Sequence, residues 1–322
     1  MDFISDKFIS ENANFRELIN ELKLAFRDDI IKCPPKLAYN YKSKISKEDN
    51  ILLFMPAWDN KKYIGVKLIT ATPNNSNNNT SYLNGIYILF NAESGFPLVT
   101  MDAKLITNMR TAATSVLASN YLAKEKASKV LILGNGNLSD FYIQAYASSS
   151  CVEAIYLWGR SFEKSKGVVA SLNLDDSITI KAIESYTDII KEMDIVSCIT
   201  SSYNPLIQKE HMSEGQHFDL AGSYTEEMQE VSTDVVAECS VFTDNLNVTL
   251  EHSGELVNAI KERKLLVSDI KGDLEFLCKD DKRKRKSVNE NTLFKSTGMA
   301  IEDLVIAIFI YYKYKKRRHG KK

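Results

Sequence analysis

A glycine-rich turn is the part of this sequence best suited to hold a ligand. Four apolar residues, 130–133, run directly into the pattern Gly134-x-Gly136-x-x-Ser139. Glycines at this spacing let a backbone turn tightly against a phosphate, and the N-terminus of a following helix favours the negative charge. The pattern therefore predicts a pyrophosphate-binding turn of a dinucleotide fold. The alternative is a strand that ends in a glycine-rich turn without a ligand. The predicted contacts are Gly134, Gly136, Asn137 and Leu138.

The end of the next predicted strand distinguishes two forms of the dinucleotide. In an NAD-type fold an acidic residue at this point binds the ribose hydroxyls. Here residues 155–158 are followed by Gly159-Arg160-Ser161, a cation with a hydroxyl neighbour. A guanidinium suits a 2′-phosphate, so the sequence favours NADP(H), with Arg160 and Ser161 at the adenosine end. NAD(H) is the alternative, because Arg160 would equally cap the next helix or stack on adenine.

The elements around these residues predict an α/β protein with two domains. From residue 130 onward strands alternate with helices, which implies a Rossmann, doubly wound parallel sheet. Before residue 115 a helix over 10–28 and four strands with a hairpin predict an antiparallel sheet. A last apolar helix is expected to return to this first sheet. We therefore predict a Rossmann domain over 116–292, inserted in a mixed α+β substrate and dimerisation domain formed by 1–115 and 293–322.

Composition narrows the class of protein. The chain has 322 residues, 44% of them hydrophobic, and a formal net charge of -1, so nothing attracts it globally to nucleic acid or to a membrane surface. Five scattered cysteines are typical of reduced thiols in a cytoplasmic protein, and the four histidines lack metal-ligand spacing, so no metal is expected. Basic runs at 279–286 and 313–322 are interpreted as a solvated loop and tail, and the asparagine-rich stretch 74–79 as a loop.

Motifs along most of the chain resemble those of the ornithine cyclodeaminase/mu-crystallin family. They occur in the same order, from about residue 30 to 310. The matching stretches are Gly65-Val-Lys67, Gly95-Phe-Pro97, Leu105-Ile-Thr-Asn-Met-Arg110-Thr-Ala-Ala113, Gly134-Asn-Gly136, Asp194-Ile-Val, Thr200, Gly215-x-His217, Ala221-Gly222-Ser223 and Leu293-Phe-Lys-Ser296-x-Gly298-x-Ala300-x-Glu-Asp303-Leu.

The resemblance implies a homodimer that binds NAD(H) or NADP(H) and acts on amino acids, α-keto acids or the imines that link them. Lys67 and Arg110 match the family's substrate-carboxylate residues, and a cation pair of this kind would orient the reacting carbon for hydride transfer. A partly desolvated lysine can also move a proton. Lys67 is therefore the expected protonating residue and Arg110 the carboxylate clamp. Ordinary surface charge is the alternative for both.

Two positions depart from the family pattern. The family often has Pro-Pro-Arg near the start, where this chain has Pro34-Pro35-Lys36, so Lys36 keeps the charge of a substrate contact without bidentate geometry. At the position where ornithine cyclodeaminases have a catalytic aspartate, this chain has Ser223. A serine has no carboxylate to accept a proton. Ser223 therefore favours the ketimine-reductase or opine-type branch, with this residue near substrate and cofactor.

The leading hypothesis is an NAD(P)-dependent oxidoreductase that acts on a C–N bond of an amino acid-derived imine. The alternatives are a cyclodeaminase that releases ammonia with a recycled NAD, and a non-catalytic protein that binds NADP(H) and a small ligand. Asp303 is expected to be either a proton relay or the cap of the last helix. The other residues expected at the cofactor are Thr200, Ser201, Ser223, Ser296 and Gly298.

Overall fold

The computed structural model describes residues 1–42, 49–72, 83–174 and 177–319. The predicted loop at 74–79 lies outside them. The strands are β1 (Asp2–Phe3), β2 (Ile31–Lys32), β3 (Leu37–Tyr41), β4 (Asn50–Asp59), β5 (Tyr63–Ala71), β6 (Leu83–Asn91), β7 (Pro97–Asp102), β8 (Lys129–Leu133), β9 (Ala154–Trp158), β10 (Thr179–Ala182), β11 (Ile195–Cys198), β12 (His217–Leu220), β13 (Ser240–Thr243) and β14 (Thr292–Lys295).

The α-helices of the described residues include two long ones, each of 20 residues. They are α1 (Asp6–Asn12), α2 (Phe15–Asp28), α3 (Ala103–Leu122), α4 (Ser139–Ala147), α5 (Phe162–Ser171), α6 (Thr233–Ala237), α7 (Leu246–His252), α8 (Gly254–Lys261), α9 (Leu274–Cys278) and α10 (Ala300–His319). None of them is long and apolar enough to span a bilayer.

The first structural unit comprises Met1–Thr111 and the chain from Met299 onward. Its sheet has the order β1-β7-β6-β5-β4-β2, and β3 pairs with β4. The pairing is antiparallel except between β1 and β7. Helix α10 packs on β4, β5 and β6, as well as on α2. The last helix therefore returns to the N-terminal sheet, as the sequence predicts.

The N-terminal helix differs from its prediction in one respect. Residues 10–28 were expected to form one helix, but Ala13 is extended and the Asn14 side chain accepts a hydrogen bond from the backbone N–H of Glu17. Asparagine is a favoured N-cap, because its side chain satisfies a backbone donor that the helix leaves unpaired. The segment therefore splits into α1 and α2, and the apolar side of α2 is buried as expected.

The second unit, Ala112–Gly298, contains a sheet of parallel strands in the order β10-β9-β8-β11-β12-β14-β13. The chain runs from β8 outward through β9 to β10, then returns to the other side of β8 with β11. At such a reversal the ends of adjacent strands diverge, and ligands bind in the crevice at their carboxyl ends. The predicted turn, Gly134–Ser139, follows β8 at this point. The predicted Rossmann sheet is confirmed.

The boundary of the second unit requires a correction. Residues 293–298 are predicted in the N-terminal domain, but β14 lies between β12 and β13 in the parallel sheet. Two apolar residues of β14, Leu293 and Phe294, are buried and complete the core of this unit. The chain leaves the sheet only after Gly298, and on the other side the boundary falls at residue 111 rather than 115, within α3.

The predicted solvated loop at 279–286 is largely exposed, and two of its arginines also contact the end of α3. Arg283 and Arg285 donate hydrogen bonds to the backbone oxygens of Ala123 and Leu122 at the end of α3, at 2.7 and 3.1 Å. The C-terminus of a helix carries partial negative charge and unpaired carbonyl groups, and both attract cations. These two arginines therefore stabilise the end of α3. Lys284 pairs with Asp280, at 2.8 Å.

Candidate active site

The turn after β8 has the geometry of a phosphate cradle. Gly134 has a φ of +126°, and a side chain built on it would lie 2.9 Å from the backbone oxygen of Ile199. The backbone N–H of Gly134 donates a hydrogen bond to the backbone oxygen of Trp158, at 2.8 Å. A side chain would therefore meet both an unfavourable backbone conformation and a close contact. Nothing lies within 4 Å of a side chain built on Gly136, so the outer side of the turn is open.

Ser139 replaces the third glycine of the motif without disturbing the turn. It is 1% exposed, and its hydroxyl donates to the backbone oxygen of Gly136, at 2.7 Å. Helix α4 begins at Ser139, and its N-cap, Leu138, provides no side-chain hydrogen bond. A helix start whose N-cap residue provides no side-chain hydrogen bond, beside an open glycine, fits an anionic group. The residues present therefore fit the pyrophosphate of a dinucleotide.

Asn135 is a further member of this site that the sequence motif does not indicate. Its side-chain amide donates to the Ser161 backbone oxygen at 2.9 Å and to the Ser165 hydroxyl at 3.0 Å. The Ser161 hydroxyl caps α5 by accepting from Lys164, at 3.3 Å, so Arg160 is not the cap. Asn135 thus ties the turn to the end of β9, where the exposed Arg160 lies. A variable position inside a glycine motif gives no signal of such a contact.

A buried glutamate organises the loops after β11 and β12. One carboxylate oxygen of Glu230 accepts from the N–H and hydroxyl of Thr200, at 2.6 and 2.9 Å. The other accepts from the N–H groups of Gly222 and Ser223, at 2.9 and 3.2 Å. Burial raises the pKa of Glu230 to about 7, against the opposing effect of the Lys295 charge. Glu230 therefore brings predicted Thr200 and Ser223 together, while predicted Ser201 is exposed beside them.

Ser223 itself is fully buried between two charged side chains. Its hydroxyl contacts both oxygens of Glu255, at 2.7 and 2.6 Å, and receives a hydrogen bond from Lys295, at 2.5 Å. Lys295 also donates to the Ser223 backbone oxygen at 2.7 Å and lies 3.5 Å from Glu255. The serine hydroxyl therefore completes a Glu255–Lys295 pair. The predicted cofactor and substrate role of Ser223 remains a prediction.

Asp244 fixes the last predicted cofactor-binding segment. Its carboxylate accepts hydrogen bonds from the Ser296 hydroxyl at 3.0 Å, the Thr297 N–H at 2.6 Å and the Gly298 N–H at 2.5 Å. Asp244 is 2% exposed and directly follows β13. Two residues expected at the cofactor, Ser296 and Gly298, are thus held together at the carboxyl end of the sheet.

The first unit contains a buried cluster of four charged side chains. Alternate residues of β5 face the helices, and this period places Lys67 in the core at 1% exposure. Its ammonium lies 2.6 Å from a carboxylate oxygen of Asp303 on α10. Arg110 on α3 contacts Glu302 at 2.9 Å and Asp303 at 3.5 Å. The predicted residues Lys67, Arg110 and Asp303 are therefore in contact, with Glu302 as an additional partner.

The environment of Lys67 suits proton transfer. Burial lowers the pKa of Lys67, and the charge of Asp303 opposes this shift. Its ammonium also donates to the hydroxyl of Thr107, at 3.3 Å. A desolvated ammonium gives up its proton more readily than a solvated one. Lys36 lies half-buried between β2 and β3, and its predicted contact with a substrate remains a prediction.

Known proteins match this chain over nearly its whole length. A model of the ornithine cyclodeaminase/mu-crystallin family matches residues 3–318. A Delta(1)-pyrroline-2-carboxylate reductase of Colwellia psychrerythraea is 32% identical and covers 95% of this chain and 97% of its own. Protein SAR DEFICIENT 4 of Arabidopsis thaliana is 33% identical and covers 98% of each chain.

The fold also has a close counterpart among solved structures. The Delta(1)-pyrroline-2-carboxylate reductase of Thermococcus litoralis, in complex with NADH and L-proline, has a TM-score of 0.89 at 24% identity and covers 99% of this chain and 98% of its own. Sequence and fold agree over the same residues. The chain belongs to the ornithine cyclodeaminase/mu-crystallin family.

Proposed function

We propose that this protein is an NAD(P)H-dependent reductase of a cyclic imine that bears a carboxylate, of the kind represented by Δ1-pyrroline-2-carboxylate. The observation that carries the proposal is the buried Lys67–Asp303 pair beside Arg110, at 2.6 and 3.5 Å. It combines a proton donor with cations that attract a carboxylate. The name of the Colwellia relative, an imine reductase 32% identical to this chain, supports the same reaction.

A reduced dinucleotide, when held by the turn after β8, would supply the hydride that the imine carbon accepts. Lys67 donates a proton to the imine nitrogen, so that the products are a secondary amine and the oxidised dinucleotide. Asp303 holds the Lys67 ammonium in place and stabilises its charged form before transfer. Arg110 attracts the substrate carboxylate and orients the reacting carbon. Since these side chains are almost fully buried, water is excluded and their charges act more strongly than at a surface.

The cofactor preference of this proposal is NADPH over NADH. Arg160 is exposed directly after β9, next to the capping residue Ser161, and no acidic residue follows this strand before Glu163. The guanidinium would pair with a 2′-phosphate. We expect Arg160→Ala to raise the KM for NADPH about tenfold and to leave the KM for NADH nearly unchanged. Equal effects on the two KM values would contradict this preference.

We also propose that a second copy of the chain covers one face of the first sheet. On this face β4, β5 and β6 present three rows of residues in register, and Trp58 and Ile86 are 38% and 45% exposed. A continuous, uncharged surface of this kind suits a self-complementary twofold interface. The rows are Trp58–Ile64–Phe90, Pro56–Val66–Ile88 and Phe54–Leu68–Ile86.

The reaction is tested by mixing the purified protein with Δ1-pyrroline-2-carboxylate and NADPH or NADH. We expect loss of the reduced-nicotinamide absorbance together with formation of proline. Lys67→Met serves as the inactive control. Release of ammonia from ornithine or lysine without added cofactor would contradict the reductase and favour a cyclodeaminase. Binding of NADPH without turnover of any imine or of keto acids with amines would favour a non-catalytic binding protein.

A further inference from the structure

Tyr87 is a buried side chain of the first unit whose hydroxyl takes no part in the interactions described above. It lies on β6 directly opposite Lys67 on β5 and is 1% exposed. Its hydroxyl oxygen makes no hydrogen bond with the described residues. Burying a hydroxyl without a partner is unfavourable, because its bonds to water are lost and not replaced. A phenylalanine would fill the same space without this loss.

The hydroxyl lies in the same layer as the charged cluster. A methyl group built on Gly65 would lie 1.8 Å from the Tyr87 hydroxyl oxygen and 2.9 Å from a methyl of Leu304. Gly65 precedes Lys67 by two residues on the same face of β5, and Leu304 follows Asp303 on α10. The hydroxyl therefore lies between β5 and α10, in the layer that holds the Lys67–Asp303 pair.

Burial keeps Tyr87 a hydrogen-bond donor. It raises the pKa of the Tyr87 hydroxyl, and the negative charge of Asp303 raises this pKa further, so the proton stays on the oxygen near neutral pH. Lys67, Arg110, Glu302 and Asp303 together sum to zero formal charge. A neutral donor beside these residues adds attraction for an anion without altering that balance.

We propose that Tyr87 is a substrate-contacting residue whose hydroxyl donates a hydrogen bond to a carboxylate oxygen of the bound imine acid. The proposal rests on the proposed function, since it assigns a further contact of the same substrate. It also accounts for Gly65, because a side chain there would occupy the place of the hydroxyl. The ring of Tyr87 would pack equally well without the hydroxyl, so only the hydroxyl distinguishes recognition from packing.

The test is Tyr87→Phe, measured with Δ1-pyrroline-2-carboxylate and NADPH. We expect a KM about tenfold higher, which corresponds to about 1.4 kcal/mol of lost binding, a smaller change in kcat, and an unliganded Tm equal to or above that of the wild type. Gly65→Ala is a second variant that keeps the hydroxyl but displaces it, and we expect it to raise KM in the same direction.

A matched control is Tyr142→Phe in the second unit. The Tyr142 hydroxyl is also buried, but it pairs with the Ser115 hydroxyl at 2.8 Å. Its removal should lower Tm and leave the KM for the imine unchanged. If Tyr87→Phe instead behaves like this control, or keeps both the wild-type KM and Tm, the hydroxyl has no role in recognition and the proposal is wrong.

A binding measurement separates failure of this inference from failure of the proposed function. If the wild type reduces no imine acid, the proposed function fails, and the thermal shift produced by L-proline with NADPH then decides on Tyr87. A shift present in the wild type and lost in Tyr87→Phe supports the contact. An equal shift in both proteins overturns it. A wild type that shows no shift overturns both proposals.

Discussion

At the scale of single residues, the buried Lys67–Asp303 pair of the proposed active site also affects the stability of the fold. Lys67 and Asp303 are 1% and 0% exposed in the side chain, so each charge depends on the other for compensation. Removing one partner from a buried pair leaves the remaining charge without compensation, at about 3–5 kcal/mol, whereas removing both is far less harmful. Stability and activity can therefore be separated by substituting the residues singly and together.

We expect Lys67→Met to lower kcat at least about 100-fold, because the proton donor is lost, and to destabilise the fold. The double variant with Asp303→Asn should recover most of the stability and none of the activity. Urea unfolding and steady-state kinetics on the same preparations test this. A double variant that regains substantial activity would exclude Lys67 as the proton donor.

Ser223 provides a second prediction at this scale. Its hydroxyl already lies against Glu255, near Glu230, and Lys295 serves both carboxylates. An aspartate here would add a third buried carboxylate, whose pKa would rise. Ser223→Asp should therefore be most stable at low pH and lose stability as pH rises through that pKa, by about 3 kcal/mol more than Ser223→Ala. Equal pH profiles of the two variants, measured by thermal unfolding, would contradict this electrostatic reasoning.

The residues that sequence reasoning found and missed differ in one physical respect. Lys67, Arg110 and Asp303 lie within motifs that match a family, so their place in the site could be predicted from the sequence. Glu230, Glu255 and Asp244 lie in loops or short helices and act on partners 30 to 54 positions away. A contact between distant positions has no local period, so only the folded chain reveals it.

At the scale of elements, hydrogen bonds join the end of α3 to strands β14 and β12 of the parallel sheet. The Thr292 hydroxyl donates to the Leu122 backbone oxygen at 2.9 Å and pairs with Nδ1 of His217 at 3.0 Å. Since the Thr292 hydroxyl proton is directed to Leu122, Nδ1 of His217 is the donor to the Thr292 oxygen. Burial lowers the pKa of His217 to about 3, and the charge of Arg285 lowers it further.

This histidine predicts a pH dependence of stability. The unfolded chain takes up a proton on His217 below its ordinary pKa of 6.5, whereas the folded chain does so only near 3. The contribution of His217 to the free energy of unfolding is therefore complete above pH 6.5 and is lost as the pH falls toward 3. At pH 5 the loss is about 2 kcal/mol. His217→Asn keeps the donor but does not titrate, so its stability should fall less steeply over this interval. Parallel slopes for the two proteins in denaturant unfolding would contradict the assignment.

Elements with a clear apolar periodicity could be predicted from the sequence, whereas an exposed strand and the boundary between the two units could not. The helical face of α2 and the alternation of β5 are visible in the sequence. Strand β3 was missed because all five of its residues are exposed, so no apolar alternation distinguishes it from a loop. The boundary at residue 293 was misplaced because β14 pairs with strands that precede it by 50 positions or more.

At the scale of the whole molecule, the proposed interface on the first sheet predicts how the chain assembles. Ile88 lies in the middle row of the apolar face, beside Val66. We expect the wild type to sediment as a dimer and Ile88→Glu as a monomer, because a buried carboxylate at the interface would be unpaired. Leu266→Glu is the matched control, since Leu266 is 60% exposed in the second unit. A wild type that sediments as a monomer at all concentrations would contradict the proposed interface.

The two tryptophans of the chain lie one in each unit, and this gives the protein two intrinsic optical probes. Trp58 is 38% exposed at the corner of the apolar face, so its emission should shift to the blue when a second chain covers it. Trp158 ends β9, where its indole donates to the Glu184 backbone oxygen at 3.1 Å, immediately before Gly159 and Arg160. Excitation there should transfer to a reduced nicotinamide bound in the same unit. With Trp58→Phe and Trp158→Phe, assembly and cofactor loading can be followed separately in unlabelled protein.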